Sequence, residues 1–305
     1  MSRPGGIPAV HGREEVKLPS RRLVLVHAHP DDETLTTGGT IAHYAAEPDT
    51  AVTLVTCTLG EEGEIIPPEL AELASGRADQ LGGYRIAELA RATAALGLRD
   101  HRFLGGAGRW RDSGMVLVGH GVRAATPAEL HPRAFADPAT FDEQVAQLRA
   151  LLAQLRPQVV VSYADDGGYG HPDHVRAHQI TVAAAERTPD VQKIYSTAVG
   201  RSGLAAGLAA LAGRDGMPFR LPAVDELPSV ADEQITTRID VAAQRSARIA
   251  ALRAHETQIS VWERGDTVAY AMSNRVAQPL LDVEEFVLAG GSARAETDLF
   301  DGVVR

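Results

Sequence analysis

The chain has 305 residues, a hydrophobic share of 44%, a formal net charge of −10 at pH 7 and a pI of about 5.6. This length allows one large domain or one domain with a subdomain, and the hydrophobic share is ordinary for a globular protein. The acidic balance argues against nucleic acid or an anionic membrane as the main partner, since both attract basic surfaces. No obligatory protein partner is indicated.

The single cysteine, Cys57, cannot form a disulfide within the chain, and we therefore expect a cytoplasmic protein. Cys57 lies in an apolar run and is interpreted as a small buried hydrophobic residue. No apolar stretch approaches the roughly 20 residues that a membrane-spanning helix needs. Residues 1–20 mix proline, glycine and charged residues, and we predict that they form a flexible arm.

Short apolar runs alternate with helical patterns over residues 21–200, which we predict to form the core domain. The predicted strands are 23–28, 51–58, 102–104, 159–163 and 194–198, and the predicted helices are 38–46, 78–96, 142–155 and 173–185. This alternation predicts an α/β fold with a Rossmann-like, mostly parallel sheet flanked by helices. No GxGxxG motif follows the first strand, which removes the main sequence evidence for a dinucleotide site.

The alternation weakens after residue 200. We predict that residues 201–305 form a smaller C-terminal α/β part packed on the core domain. Its predicted elements are a helix of small residues at 201–216, a strand at 235–241, a helix at 242–255 and a last strand at 285–289.

Two polar clusters follow predicted strands, HAHPDDE at 27–33 and GHPDH at 170–174. Ligands of open α/β folds bind at the carboxyl ends of the strands, and a parallel sheet brings both clusters to one edge. Imidazole and carboxylate groups are costly to bury unless a metal or tight pairing satisfies them. The two clusters together therefore predict a metal site.

We assign His29, Asp32 and His174 as the metal ligands, because three nitrogen or oxygen ligands with an open water position are typical of catalytic zinc. Asp31 is predicted to act as the general base on the activated water. His171 would donate a hydrogen bond or a proton from the other side of the reacting centre. Iron(II) or cobalt(II) suits the same ligands, and two histidines with one carboxylate also suit a non-haem iron oxygenase. The ligand set alone leaves these alternatives open.

With these two motifs the chain resembles the LmbE/PIG-L family of zinc-dependent N-deacetylases. Longer segments are similar to the branch of that family that removes acetate from N-acetylglucosaminyl-inositol in mycothiol biosynthesis. They are TCTLGEEGE (56–64), DQLGGYRIAEL (79–89), LGGAGRWRDSGM (104–115), DGGYGHPDH (166–174), LRAHETQI (252–259) and FVLAGGSA (286–293). The resemblance implies a hydrolase that acts on this small molecule with one zinc ion per subunit.

Carried over residue by residue, the resemblance implies the same three ligands and Asp31 as the base. It implies His171 as the acid or oxyanion stabiliser and Tyr169 as a mobile group near the carbonyl oxygen. It also implies that Arg85 and Asp112 hold hydroxyl groups of the sugar or the inositol. The residues alone leave other roles open: a solvated helix face for Arg85, an ion pair with a neighbouring arginine for Asp112, and an exposed loop aromatic for Tyr169.

Two related activities are alternatives, namely hydrolysis of mycothiol S-conjugates and deacetylation of another N-acetylglucosamine conjugate. The loop at 105–115 and Gly170 favour the deacetylase. Among the remaining polar residues, we expect Asp173 to orient a ligand imidazole, Glu33 to cap a helix or support the ligands, and His255 to be structural.

Overall fold

The computed structural model describes residues 18–118, 123–289 and 295–304. Most of the predicted N-terminal arm and the end of the FVLAGGSA segment lie outside these residues. The α-helices in the described residues are α1 Asp32–Ala45, α2 Leu81–Ala95, α3 Phe141–Leu155, α4 Pro172–Ala185, α5 Arg201–Leu211 and α6 Arg245–Ala254. None of these helices is long and apolar enough to cross a membrane.

Twelve strands lie in the same ranges. They are β1 Arg21–His27, β2 Thr50–Thr56, β3 Asp100–Phe103, β4 Val116–Val118, β5 Arg123–Ala125, β6 Val159–Ser162, β7 Lys193–Ala198, β8 Thr237–Asp240, β9 Ser260–Arg264, β10 Thr267–Ala271, β11 Gln278–Pro279 and β12 Val283–Leu288. Seven of them form the main sheet in the order β3-β2-β1-β6-β7-β12-β8. The first five run parallel, and β12 is antiparallel to both of its neighbours. The predicted mostly parallel α/β sheet is confirmed.

Alternating side chains of the central strand β1 serve two helical layers. Leu23 and Leu25 lie in a buried cluster with residues of α1, α2 and α6. Val24 and Val26 lie in a second buried cluster with residues of α3 and α4. Burying each such side chain contributes roughly 1.5–3 kcal/mol, so both faces of the sheet are strongly covered. The result is a three-layer α/β/α arrangement.

The strand order reverses between β1 and β6, because β1 continues to β2 on one side while β6 continues to β7 on the other. Loops that leave the carboxyl ends of two such strands part in opposite directions and open a crevice, which is where ligands bind in this class of fold. The two polar clusters of the sequence follow β1 and β6, and they therefore face each other across this crevice.

Three local features differ from the sequence prediction. Helix α1 starts at Asp32 rather than at residue 38. The negative side chains of Asp32 and Glu33 in its first turn stabilise this earlier start, because they interact favourably with the positive end of the helix dipole. The hairpin β4–β5 and the sheet β11-β10-β9 were not predicted. The second of these had a signal, because Gly265 with a φ of 58° and the next residue form the short turn between β9 and β10.

The C-terminal part contributes β8 and β12 to the main sheet and α6 to one of its helical layers. A division of the chain at residue 200 stays a prediction.

Candidate metal centre

The predicted ligands lie at the starts of two helices. His29 is in the turn between β1 and α1, Asp32 is the first residue of α1, and His174 lies in the first turn of α4. His171 directly precedes α4, and its Nδ1 accepts a hydrogen bond of 3.1 Å from the Asp173 amide. Both helices begin at the carboxyl edge of the sheet, so the fold alone brings the two clusters together.

The three predicted ligands form a compact buried triad. The distance between His29 Nδ1 and Asp32 Oδ2 is 3.1 Å, and that between His174 Nε2 and Asp32 Oδ1 is 3.3 Å. Ligand atoms that surround zinc tetrahedrally at its usual bond lengths lie about 3.3 Å apart, so these edges already have the right size. One ligand atom of each residue lies within 4.8 Å of the other two.

His174 supplies the observation that tests the fit of a metal. Its Nδ1 lies 3.2 Å from the carbonyl oxygen of Gly167, which can only accept, so this nitrogen carries the proton. The Nε2 atom is buried and has no hydrogen-bond partner among the described residues. In the neutral ring, its lone pair faces a carboxylate oxygen of Asp32, and a cation between the two atoms removes that conflict.

The carboxylate of Asp32 is held as an anion. The hydroxyl of Tyr163 donates to Oδ2 at 2.7 Å, and the amide of His29 donates to the same oxygen at 2.9 Å. Burial raises the pKa of Asp32, but the imidazoles of His174 and His29 outweigh this and hold it well below the usual range. The ring of Tyr163 also stacks on His174, with centroids 4.1 Å apart. Tyr163 was not assigned to the site from the sequence, because it lies at the end of an apolar run that was predicted to be a strand.

The other ring nitrogen of His29 faces two carboxylates. Nε2 lies 3.2 Å from Asp173 Oδ2 and 3.6 Å from Asp112 Oδ1. Carboxylates in this position keep the proton on Nε2 and leave Nδ1 free for a metal. His29, Asp112 and His171 also lie close enough to hold an ion, but this group shares His29 with the first triad. The hydrogen bond to Asp173 agrees with the orienting role that we expect for this residue.

Asp31 has an unusual backbone. Its φ of 122° and ψ of −32° are rare for a residue with a side chain, and such strain costs of order 1–3 kcal/mol. Its amide donates to Glu33 Oε2 at 2.9 Å, and its Oδ2 pairs with an Arg85 nitrogen at 2.9 Å. Burial raises the pKa of Asp31 and Arg85 lowers it, with a net value of about 6. A carboxyl group of this kind is suited to accepting and returning a proton near neutral pH.

Arg85 lies in the interior of the protein rather than on a solvated helix face. Its guanidinium donates to the carbonyl oxygens of Gly60, at 2.8 Å, and Pro30. Gly60 has a φ of 66°, and the guanidinium leaves no space for a Cβ there. Arg85 therefore reaches the centre through Asp31, and its predicted contact with a substrate hydroxyl stays a prediction.

His171, Tyr169 and Asp112 complete the site on the side of Asp173. Burial, with the imidazoles of His29 and His174, lowers the pKa of His171 to about 2, so the ring is neutral with the proton on Nε2. The half-buried ring of Tyr169 has its centroid 6.0 Å from that of His171, and burial raises its pKa. Asp112 accepts hydrogen bonds from the amides of Gly114 and Glu62, at 2.8 and 3.3 Å, instead of forming the ion pair that was the alternative for it.

All the predicted site residues thus lie at one edge of the sheet. The structure brings His29, Asp32 and His174 together as one triad, with Asp31 beside it. Behind them lies a buried pair, Glu33 and His255, whose Oε1 and Nε2 atoms are 2.8 Å apart. Glu33 was expected to cap a helix or support the ligands, whereas His255 was expected to be structural and was not connected with the site. No local pattern marks this pair, since its members are 222 residues apart in the chain.

Comparisons with known proteins agree with this geometry. The profile of a family described as GlcNAc-PI de-N-acetylase (PIG-L) matches residues 24–185. The 1D-myo-inositol 2-acetamido-2-deoxy-alpha-D-glucopyranoside deacetylase 1 of Saccharopolyspora erythraea is 56% identical over 288 residues, which cover 92% of this chain and 94% of the relative. The corresponding deacetylase of Actinosynnema mirum is 56% identical over 284 residues, covering 92% and 97%.

Two solved structures share the fold. A deacetylase of the teicoplanin biosynthesis pathway, solved as a complex with teicoplanin, has a TM-score of 0.50 at 18% identity, covering 89% of this chain and 100% of that chain. GalB, the 4-carboxy-2-hydroxymuconate hydratase of Pseudomonas putida, has a TM-score of 0.52 at 14% identity, covering 91% and 100%. A deacetylase and a hydratase thus use this fold, so the fold alone does not determine the reaction.

Proposed function

Because the chain belongs to the PIG-L (LmbE) family of GlcNAc-PI de-N-acetylases, we propose that it is a metal-dependent amide hydrolase of mycothiol biosynthesis. Its substrate would be 1D-myo-inositol 2-acetamido-2-deoxy-α-D-glucopyranoside, from whose N-acetylglucosamine moiety it would release acetate. The observation that carries this proposal is the 56% identity to deacetylases of that name over 92% of the chain. The buried triad with Asp31 beside it provides the chemical support.

His29, Asp32 and His174 would hold one metal ion, which we propose to be zinc. When bound, zinc lowers the pKa of a water molecule and polarises a carbonyl oxygen. The donor set supports this assignment, because it consists of two imidazole nitrogens and one carboxylate and includes the unpartnered Nε2 of His174.

The remaining residues would handle the protons and the developing charge. Asp31 would take a proton from the attacking water and deliver it to the amine as the amide bond breaks. Arg85 would hold the carboxylate of Asp31 in place through their 2.9 Å ion pair. The neutral ring of His171 would donate its Nε2 proton in a hydrogen bond to the oxyanion, and Tyr169 lies beside it to do the same.

Substrate hydroxyl groups would be held on the side of Asp112. Its carboxylate is buried and ionised, because the neighbouring imidazole of His29 keeps its pKa below the usual range despite burial. A sugar or inositol hydroxyl can donate to such an oxygen. Arg85, whose Nε has no hydrogen-bond partner within the described part of the chain, would hold a second hydroxyl, as the resemblance implies.

The test is release of acetate from the inositol substrate by the metal-loaded protein under anaerobic conditions, with Asp31→Asn as the variant. Asp31→Asn keeps the size of the side chain but removes the base, and we expect kcat to fall by about 10²-fold or more with unchanged metal content. Asp32→Asn should instead lower metal content.

Acetate release at the wild-type rate by Asp31→Asn would refute the mechanism. Faster cleavage of a mycothiol S-conjugate than of this substrate would favour the amidase.

A further inference from the structure

Glu33 and His255 form an ion pair in the interior, behind the metal centre. Glu33 is the second residue of α1, and His255 directly follows α6 in the C-terminal part of the chain. Both side chains have an exposed fraction of 0%, and the distance between His255 Nε2 and Glu33 Oε1 is 2.8 Å. A buried pair of this kind is weak evidence for a role in stability alone, because desolvation of the two groups offsets their attraction.

The second carboxylate oxygen of Glu33 connects this pair to the site. Glu33 Oε2 accepts a hydrogen bond of 2.9 Å from the amide of Asp31, the residue with the φ of 122°. His255 holds the other oxygen, Oε1, which also accepts from the hydroxyl of Thr34 at 2.5 Å. The carboxylate is therefore fixed at both oxygens, and one of its bonds stabilises the strained backbone of Asp31.

Arg85 holds Asp31 from the other side. Its guanidinium donates to the carbonyl oxygen of Pro30, just before Asp31, and pairs with Asp31 Oδ2 at 2.9 Å. Glu33 thus binds the amide of Asp31, while Arg85 binds the carbonyl oxygen of the same peptide unit and the side chain of Asp31. Since a strained backbone persists only where its surroundings determine it, loss of either group should let Asp31 relax.

We infer that Glu33 and His255 are positioning residues for Asp31: His255 fixes the Glu33 carboxylate, and the carboxylate holds the Asp31 amide so that the side chain faces the reacting water. The inference rests on the proposed role of Asp31 as the base. It assigns the C-terminal helix α6 a part in catalysis, since the residue that follows this helix sets the geometry of the turn between β1 and α1.

The test compares two buried glutamates that accept hydrogen bonds from backbone amides: Glu33 from the residue just before α1, and Glu284 from residues inside α1. Glu284 accepts from the amides of Gly39 and Thr40, both at 2.8 Å, and lies 3.4 Å from Arg248. Glu33→Met and Glu284→Met each remove a carboxylate and leave a cationic partner behind. Circular dichroism, metal content, kcat and KM are measured for both at a temperature where both are folded.

We expect kcat of Glu33→Met to fall by about 10²-fold with unchanged KM and metal content, because a small misplacement of a reacting group has an effect of this size. Glu284→Met should keep kcat. His255→Leu should reproduce the loss without changing Glu33, whereas His255→Gln should retain most of the wild-type kcat, since its amide nitrogen can replace Nε2 as the donor. If Glu33→Met does not fold, comparison of His255→Leu with His255→Gln still tests the inference.

Three results would overturn the inference. They are an equal loss of kcat in Glu33→Met and Glu284→Met, no rescue by His255→Gln relative to His255→Leu, and a loss of activity that follows a loss of metal. The last would mean that the pair holds Asp32 rather than Asp31. Absence of deacetylation by the metal-loaded wild-type chain would instead refute the proposed function, so the two failures can be distinguished.

Discussion

At the scale of single residues, the candidate site depends on which proton each group keeps. The carbonyl of Gly167 assigns the proton of His174 to Nδ1, and Asp173 assigns that of His29 to Nε2. The unprotonated nitrogens, Nε2 of His174 and Nδ1 of His29, then both lie beside the carboxylate of Asp32, and together these groups attract a cation. Tyr163 completes this set, because its hydroxyl donates to Asp32 and accepts from the Ala28 amide at 2.8 Å.

Removal of the Tyr163 hydroxyl should weaken metal binding without abolishing turnover. In Tyr163→Phe, Asp32 loses its 2.7 Å hydrogen bond, and we expect metal affinity to fall by about 10- to 100-fold. At saturating metal, kcat should stay close to the wild-type value. Competition with a chromogenic chelator measures the affinity.

Tyr44→Phe is the matched control for this variant. The Tyr44 hydroxyl also donates to an aspartate, Asp298, and accepts from a backbone amide, that of Leu299, both at 2.8 Å. It lies away from the metal centre, so Tyr44→Phe should keep wild-type metal affinity. An equal loss in the two variants would show that the effect comes from general destabilisation.

At the scale of elements, helix α1 connects the site to the C-terminal part. Its first residue is the ligand Asp32, and its middle packs against Val241, which follows β8. Gly39 permits this contact, since a Cβ there would lie 2.5 to 2.8 Å from three side-chain carbons of Val241. The threonine and glycine run at 36–40 obscured the start of α1 in the sequence, and its Gly39 is required by close packing against Val241.

Gly39→Ala should destabilise the fold even though alanine favours helices. The clash with Val241 should cost about 1–3 kcal/mol, more than the roughly 1 kcal/mol gained in helix propensity. Gly83 in α2 provides the comparison, because a Cβ there meets nothing within 4 Å among the described residues. Gly83→Ala should therefore stabilise the protein. Urea unfolding of both variants checks the opposite signs, and stabilisation by Gly39→Ala would show that the contact is not tight.

At the scale of the whole molecule, features encoded in a short stretch of sequence could be predicted, whereas contacts between residues far apart in the chain could not. The parallel sheet and the proximity of His29, Asp32 and His174 could be predicted, because each strand–helix unit has its own periodicity and each cluster directly follows a strand. Tyr163 and His255 could not be connected with the site, since their partners lie more than 130 residues away. His255 was expected to be structural, and only the fold places it against Glu33.

The two ends of the described chain meet in one charged cluster. Asp298 pairs with Arg21 of β1 at 2.9 Å and accepts the Tyr44 hydroxyl and the Phe300 amide. Burial raises the pKa of Asp298, but the hydrogen bonds from Phe300 and Tyr44 and the charge of Arg21 more than offset it, so the net shift is downward. A carboxylate with a lowered folded-state pKa stabilises the fold above its unfolded-state pKa.

Asp298→Asn should therefore destabilise the protein at neutral pH by about 1.5–3 kcal/mol, the usual value of hydrogen bonds to a charged group. The difference from the wild type should shrink as the pH falls below about 4, where the unfolded chain binds a proton at this position, and vanish below the folded-state pKa. Urea unfolding across this pH range measures the difference. Asp190→Asn, which breaks the exposed pair with Arg156, is the control and should have little effect at any pH. A difference for Asp298→Asn that stays constant into acid would show that shape, not charge, holds the two ends together.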